Sequence, residues 1–262
     1  MKPYIISVLN QKGGVGKTTT TLNLGAGLAM NGFQVLLLDL DVQANLTHAT
    51  IGDVEEKQRT ICEALIEETG IDDIIHPTGT PNLFVAPAGE SLVELDIQLF
   101  GKMGREQILK SCLQKTKSLK NWDFILIDNP PYISVTTVNS LVASTHYLVP
   151  VSCEYLPMLG IKWLNKTIQK VQVRLNPGLS AIGVALTMHD PRIGITKTVE
   201  ELLREELEGL VFDSVIRVNS KQKVAPSTRQ TIFQFENNKK GRGTLDYMGL
   251  AREVMARLEV SK

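Results

Sequence analysis

The sequence predicts an α/β fold: a mostly parallel, twisted sheet with helices on both faces. Three observations carry this reading. Short apolar runs alternate with helix-length patterns along the 262-residue chain, as in repeated βαβ units with right-handed crossovers. Most of those runs are continuously apolar, as expected of strands covered on both sides. The first run leads through a glycine-rich loop into a helix, which is the order of a phosphate-binding P-loop. No internal repeat, low-complexity segment or Pro/Gly/Ser linker divides the chain, so residues 1–262 are expected to form a single domain.

The first strand is expected at 4–9 ("YIISVL"), followed by the loop and a helix over 18–31 that Gly32 ends. Further strands are expected at 33–39, 82–87, 124–128, 146–151, 181–188 and 210–216. Helices are expected near 60–69, 91–100, 104–118, 134–144, 157–173, 196–208 and 242–259, with Pro157 in the first turn of its helix. The stretch 47–80 has mixed charge and weak periodicity, and no firm assignment follows from it.

Composition excludes several classes. Hydrophobic residues make up 43% of the chain, enough for a sizeable core, and 28 Lys+Arg balance 28 Asp+Glu. A protein coated in positive charge is excluded, although a local basic patch is not. The three cysteines, Cys62, Cys112 and Cys153, lack metal-ligand or redox spacing and read as reduced, buried or half-buried thiols of a cytoplasmic protein. The N-terminus has too short an apolar run for a signal peptide, and no stretch is long enough to span a bilayer.

In "NQKGGVGKTTTT", Gly16-Lys17-Thr18 match the end of G-x-x-x-x-G-K-[ST], while Gln11 stands where the pattern has its first glycine. Gly13 and Gly14 still allow the backbone to curl so that its N–H groups face an anion, and the helix N-terminus adds partial positive charge. Lys17 is placed to reach β- and γ-phosphates, and the Thr18 hydroxyl to hold Mg²⁺. "FILIDNPP" ends a buried strand in Asp128, the position of a Mg²⁺-holding carboxylate, and "LLLDLDVQAN" ends another with Asp39 and Asp41. In an open parallel sheet the carboxyl ends of strands gather at the ligand, so all three acids can converge on the loop. The fold class is therefore a P-loop NTPase.

These residues resemble the ParA/MinD/Soj class of P-loop ATPases. "KGGVGKTT" (12–19) is similar to its deviant Walker A box, "LLLDLDVQAN" (36–45) to its switch I and "FILIDNPP" (124–131) to its Walker B and switch II. Further matches at 138–144, 149–161, 186–192, 223–227 and 243–254 extend the resemblance over nearly the whole chain, and the short ParA/Soj subgroup fits best. The resemblance implies ATP and Mg²⁺ as cofactors, with Gly13, Gly14, Val15, Gly16, Lys17, Thr18 and Thr19 around the phosphates. It implies that Lys12 crosses a dimer interface to the partner's nucleotide, that Asp41 positions the attacking water, and that Asp39 supports Thr18 and Mg²⁺. Met188 and Asn219 match positions near adenine, where the family's "PRN" reads Arg217-Val218-Asn219. Asn129, Val42 and Ala44 depart from the usual Cys/Thr/Ala, Pro and Gly.

Residues 215–242 hold seven basic residues (Arg217, Lys221, Lys223, Arg229, Lys239, Lys240 and Arg242) against Glu236 alone. Such a segment can bind phosphate backbones without reading sequence. The resemblance aligns Arg192 and Lys221 with non-specific DNA contacts, Lys223 lying beside them. It implies a weak ATPase that forms a homodimer on ATP, binds double-stranded DNA, partitions a plasmid or chromosome, and is released when a ParB-like centromere-binding protein stimulates hydrolysis. Its expected location is cytoplasmic and nucleoid-associated. A MinD-like membrane-cycling ATPase is the alternative within the fold. The tail "LAREVMARLEVSK", interrupted by Glu253 and Glu259, reads instead as a packed helix, and no membrane partner is expected. A non-hydrolysing, nucleotide-gated regulator or adaptor, which shares the P-loop but needs no competent switch I, is the alternative of a different functional class, and the intact Asp41 argues against it. With the loop beginning near residue 10, no N-terminal helix-turn-helix extension is expected.

Overall fold

The computed structural model describes residues 2–55, 58–89, 91–153 and 157–262, the side chains of 157–163 excepted. One eight-stranded sheet organises the chain, in the order β3-β4-β2-β5-β1-β6-β7-β8. In chain order the elements begin with β1 (Tyr4–Val8), α1 (Lys17–Met30), β2 (Val35–Asp39), α2 (Asn45–Thr50), α3 (Ile61–Glu67), β3 (His76–Pro77), β4 (Leu83–Ala86), α4 (Leu92–Leu99) and α5 (Ile108–Lys115). They continue with β5 (Phe124–Asp128), α6 (Val135–Ala143), β6 (His146–Ser152), α7 (Pro157–Arg174), β7 (Ser180–His189), α8 (Gly194–Glu206) and β8 (Val211–Arg217). Three helices close the chain: α9 (Ser220–Val224), α10 (Ile232–Glu236) and α11 (Arg242–Arg257).

All seven expected strands are present and pair in parallel. The eighth, β3, is a two-residue antiparallel edge on β4. Pro77 has no N–H to give a ladder, which confines it to an edge and hides it from pattern reading. The helix expected over 104–118 is divided. Gly104 enters at φ 68, α5 ends at Lys115, and Thr116 turns extended at ψ 119. The N–H groups of Lys117 and Ser118 then donate to the Asp72 carboxylate instead of continuing the helix. The short helices α2, α9 and α10, of five or six residues, had no sequence assignment.

The strand side chains divide between two layers. Val35 and Leu37 of β2 and Phe124 and Leu126 of β5 pack with α1 and α11, whereas Leu36, Leu38, Ile125 and Ile127 pack with α3, α4 and α5. Burial on both faces is why these strands read as unbroken apolar runs. A third cluster joins α6, α7 and α8 to β6, β7 and β8. The three cysteines are buried and unbonded to one another.

Strands β6 and β7 slip register between Tyr147 and Leu148, where Ile182 is the extra residue. The slip is made at Gly183, whose φ is 155 and whose added Cβ would lie 2.7 Å from the Leu210 carbonyl oxygen. Arg257 closes the irregularity by donating to the carbonyls of Ile182, Leu210 and Val211. Gly183→Ala therefore forces both a disfavoured backbone conformation and a backbone clash. It should destabilise the protein by about 2 kcal/mol or more in a denaturant titration, and a loss within experimental scatter would show that the bulge relaxes freely.

Candidate nucleotide and metal site

The loop between β1 and α1 sits at the carboxyl edge of the sheet. Gly14 and Gly16 take φ 75 and 83, which a β-carbon would disfavour. A Cβ built on Gly13 or Gly14 meets no atom within 4 Å, so the loop faces open space. Gly16 is the N-cap of α1 and supplies no side-chain cap, and the first turn holds no acid. The orphan N–H groups and the positive end of the helix dipole therefore remain available to an anion. Asn10 holds the loop from below, its amide donating to the Pro150 carbonyl at 2.7 Å and its oxygen accepting from the Lys12 N–H at 3.0 Å. Thr187 ties the middle of the loop to β7 by donating to the Val15 carbonyl.

Lys17 is buried, and its ammonium donates to the Lys12 carbonyl at 3.3 Å. Burial lowers its pKa, opposed by the charges of Asp128 and Asp41. Lys12 itself is half-buried at the loop's start.

The acids converge as expected. Asp39 and Asp128 are register partners at the ends of β2 and β5, and Val8 of β1 flanks Asp128 on the other side. Both carboxyls are fully buried. Burial pushes Asp128 well above the carboxylate range, with Asp39 adding repulsion, and pushes Asp39 up to about 6. Thr18 donates its hydroxyl to Asp128 at 2.6 Å. The structure differs from the expected Asp39–Thr18 link: Asp39 instead accepts from the Thr47 N–H (2.9 Å), the Thr47 hydroxyl (2.7 Å) and the Asp41 N–H (3.1 Å). Asp39 thus anchors the segment that carries Asp41, whose own oxygen accepts from the Gln43 N–H. Ala44 takes φ 48 at the turn into α2, the conformation that the family's glycine would hold without strain.

Two adjoining cavities open over this edge. One, of about 570 Å³, is lined by Gly13, Gly14, Gly16, Lys17, Thr18, Thr19 and Asp41, with Asn45 and His48 of α2 across from them. The other, of about 550 Å³, is lined by Gly16, Thr19, Met188, Arg217, Asn219 and Lys223. Met188, Pro226 and Gly16 border both. Within the second cavity Arg217 gives its guanidinium to Asp246 of α11, and Asn219 caps α9 while donating to Glu236. Both shape the wall with side chains already engaged.

Of the basic residues, Arg192 is 83% exposed and forms a two-point pair with Asp190 at 2.8 and 2.6 Å. Lys221 is exposed on α9, and Lys223 stands at the rim of the second cavity. Sequence reasoning assigned no role to Thr47, to Thr21, whose hydroxyl lies 3.4 Å from the Asp128 carboxylate, or to Pro226 and Ser227, which line the first cavity. Pro226 and Ser227 were visible as the "APS" run, whereas Thr47 falls in the stretch without periodicity and left no signal.

The comparisons with known proteins agree with this geometry. The family described as an AAA domain matches residues 3–181. The sporulation initiation inhibitor protein Soj of Bacillus subtilis is 38% identical over 252 residues, covering 96% of this chain and 98% of that one. The chromosome partitioning protein ParA of Caulobacter vibrioides is 35% identical over 253 residues, covering 97% and 94%. Among solved structures, cobyrinic acid a,c-diamide synthase from Mycobacterium smegmatis, with bound ADP and magnesium, superposes with a TM-score of 0.85 at 29% identity over 98% of this chain and 96% of that one. With full-length relatives at this identity and the loop, acids and sheet order in place, the chain belongs to the ParA/Soj family of P-loop partitioning ATPases.

Proposed function

We propose that the protein hydrolyses ATP to drive DNA partitioning, the observation that carries this being the meeting of Lys17, Thr18, Asp41 and Asp128 on an open glycine loop. The residues fit Mg²⁺. Two fully buried carboxyls in register, each accepting from a threonine hydroxyl, gather the hard oxygen donors that such a cation prefers. Thr18 and Asp128 would hold the ion, with Asp39 behind them, and the ion would neutralise charge on the β- and γ-phosphates. Lys17 holds the phosphates of its own chain, the loop N–H groups orient them, and Asp41 orients the attacking water. The second cavity takes the base, with Met188, Arg217 and Asn219 as its wall.

Lys12 would offset phosphates held by a second copy, because two facing triphosphates repel unless each is neutralised. The dimer would then bind duplex DNA through Arg192, Lys221 and Lys223, and a ParB-like protein would stimulate release. The similarity to Soj and to the chromosome partitioning protein ParA supports this reading over a membrane cycle. So does α11, whose Leu250, Ala251 and Val254 are buried against the sheet and not presented as a surface anchor. Among the described residues no helix is long and apolar enough to cross a membrane.

Sedimentation with ATP, ADP or no nucleotide tests the cycle. Wild type should dimerise with ATP alone, and Lys12→Ala should remain monomeric while still binding ATP within about tenfold of the wild-type affinity. A dimer of Lys12→Ala at saturating ATP would remove the electrostatic gate. Removing the charges of Arg192 and Lys221 together should weaken DNA binding by at least about tenfold and flatten its salt dependence, with ATP binding retained. Unchanged filter binding would defeat the patch.

The acid pair also sets a pH dependence. A carboxyl whose folded pKa exceeds its unfolded value holds its proton more tightly in the folded state, so its favourable contribution is lost as pH rises. For Asp39 the window runs from 3.8 to about 6. Metal-free wild type should therefore lose stability relative to Asp39→Asn as pH rises through that window. Parallel unfolding curves at both ends of the window would rule out the buried charge.

A further inference from the structure

We propose that Asn129 is a positioning residue for the hydrolysis reaction, its carboxamide locking the root of switch II to the root of the phosphate loop. The inference rests on the ATP-hydrolysing reading given above. Asn129 follows Asp128 directly and is fully buried. Its amide nitrogen donates to the Ser7 hydroxyl at 3.0 Å, the Val8 carbonyl at 3.0 Å and the Ile127 carbonyl at 3.1 Å. Carbonyls only accept, so this orientation of the amide is fixed by its partners.

The ladder between β1 and β5 ends at the Val8–Asp128 pair. The Asn129 side chain adds one further rung beyond that end, between the strand that feeds the phosphate loop and the strand that feeds switch II. The Ser7 hydroxyl that accepts from Asn129 also shares a 2.7 Å hydrogen bond with the Ser140 hydroxyl on α6. The first residue after Asp128 and the helix that follows switch II are thus joined through the same β1 serine. At the far side of that segment Thr137 donates to the Tyr132 carbonyl and Thr136 donates to Asp96 of α4.

The carboxamide is retained at a cost. Asn129 Oδ1 is buried and has no hydrogen-bond partner among the described residues. An alanine would leave no orphaned acceptor there, and a threonine hydroxyl could not give two N–H bonds. A buried polar group kept with one side unsatisfied, beside the metal-side acid, fits a role in holding catalytic geometry better than a role in packing. What it holds is the placement of Asp128 and of the segment after it relative to Lys17 and Thr18.

The test is ATP turnover at saturating duplex DNA for wild type, Asn129→Ala, Ser7→Ala and the double variant, with thermal unfolding recorded alongside. Asn129→Ala should lower kcat by about tenfold or more, the scale of a sub-ångström to ångström misplacement, while KM stays within about threefold. Ser7→Ala should lower kcat less, and the double variant should be no slower than Asn129→Ala, since both changes cut one network. A kcat for Asn129→Ala within about twofold of wild type, a change confined to KM, or losses that multiply in the double variant would each overturn the proposal. If Asn129→Ala does not fold, Ser7→Ala decides alone: a lower kcat at constant KM supports the lock, and an unchanged kcat overturns it. Absence of turnover in the wild type is a different result, which defeats the ATPase reading and this inference together.

Discussion

Two carboxyls side by side at the ends of β2 and β5, both removed from water, set the terms for everything around them. Uncompensated, such a pair repels itself and is costly to bury. The chain surrounds it with partial and full positive charge. Thr47 and the Asp41 N–H donate to Asp39, Thr18 donates to Asp128, and the Lys17 ammonium stands nearby. The sheet order follows from the same requirement. Only when β2, β5 and β1 are neighbours do both acids and the glycine loop share one edge, and the right-handed crossovers then place α1 over that edge with its N-terminus inward.

The neutralisation is partial. Burial still lowers the proton affinity of Lys17 and raises that of both acids, against the opposing pull of their neighbours. A bound nucleotide with its cation reverses both tendencies, because the phosphates favour the charged lysine and the cation favours the charged acids. Ligand binding and folding therefore draw on the same electrostatics, and Thr47 carries that coupling into the Asp41 segment through Asp39.

Most of this was legible in the sequence because its determinants are local. Continuous apolar runs marked every parallel strand, the loop glycines marked the turn, and each acid followed its strand directly. Less legible were features set by distant partners. Thr47 reads as an ordinary residue until Asp39 is seen to need it. Arg217 counts as a basic residue in a charged run until Asp246, 29 positions later, takes its guanidinium. The same applies to Arg192, whose charge is partly met by Asp190. A count of basic residues over 215–242 thus overstates the free positive surface, since an engaged guanidinium must exchange one partner for another before it meets a phosphate. The Arg192 guanidinium is largely exposed, where solvent screens its pairing and makes that exchange easy, whereas Asp246 is buried beneath Arg217. The five- and six-residue helices α2, α9 and α10 are too short for periodicity to register, and packing rather than propensity forms them.

Among the described residues, three of the seven non-glycine residues with positive φ, Ala44, Met188 and Arg229, lie near this edge. Ala44 turns the chain from Asp41 into α2, and Met188 borders both cavities. Arg229 lies with its guanidinium where a Cβ on Gly52 would be, joining the 225–229 segment to the end of α2. Left-handed backbone at side-chain-bearing residues persists only when neighbours overdetermine it. For Met188 those neighbours are identifiable: Thr187 is bonded to the loop at Val15, and the His189 carbonyl accepts from Val218. The residue between them is pinned from the phosphate side and from the side of the second cavity. Met188 thus stands in a wall common to both cavities, together with Gly16, Thr19 and Pro226.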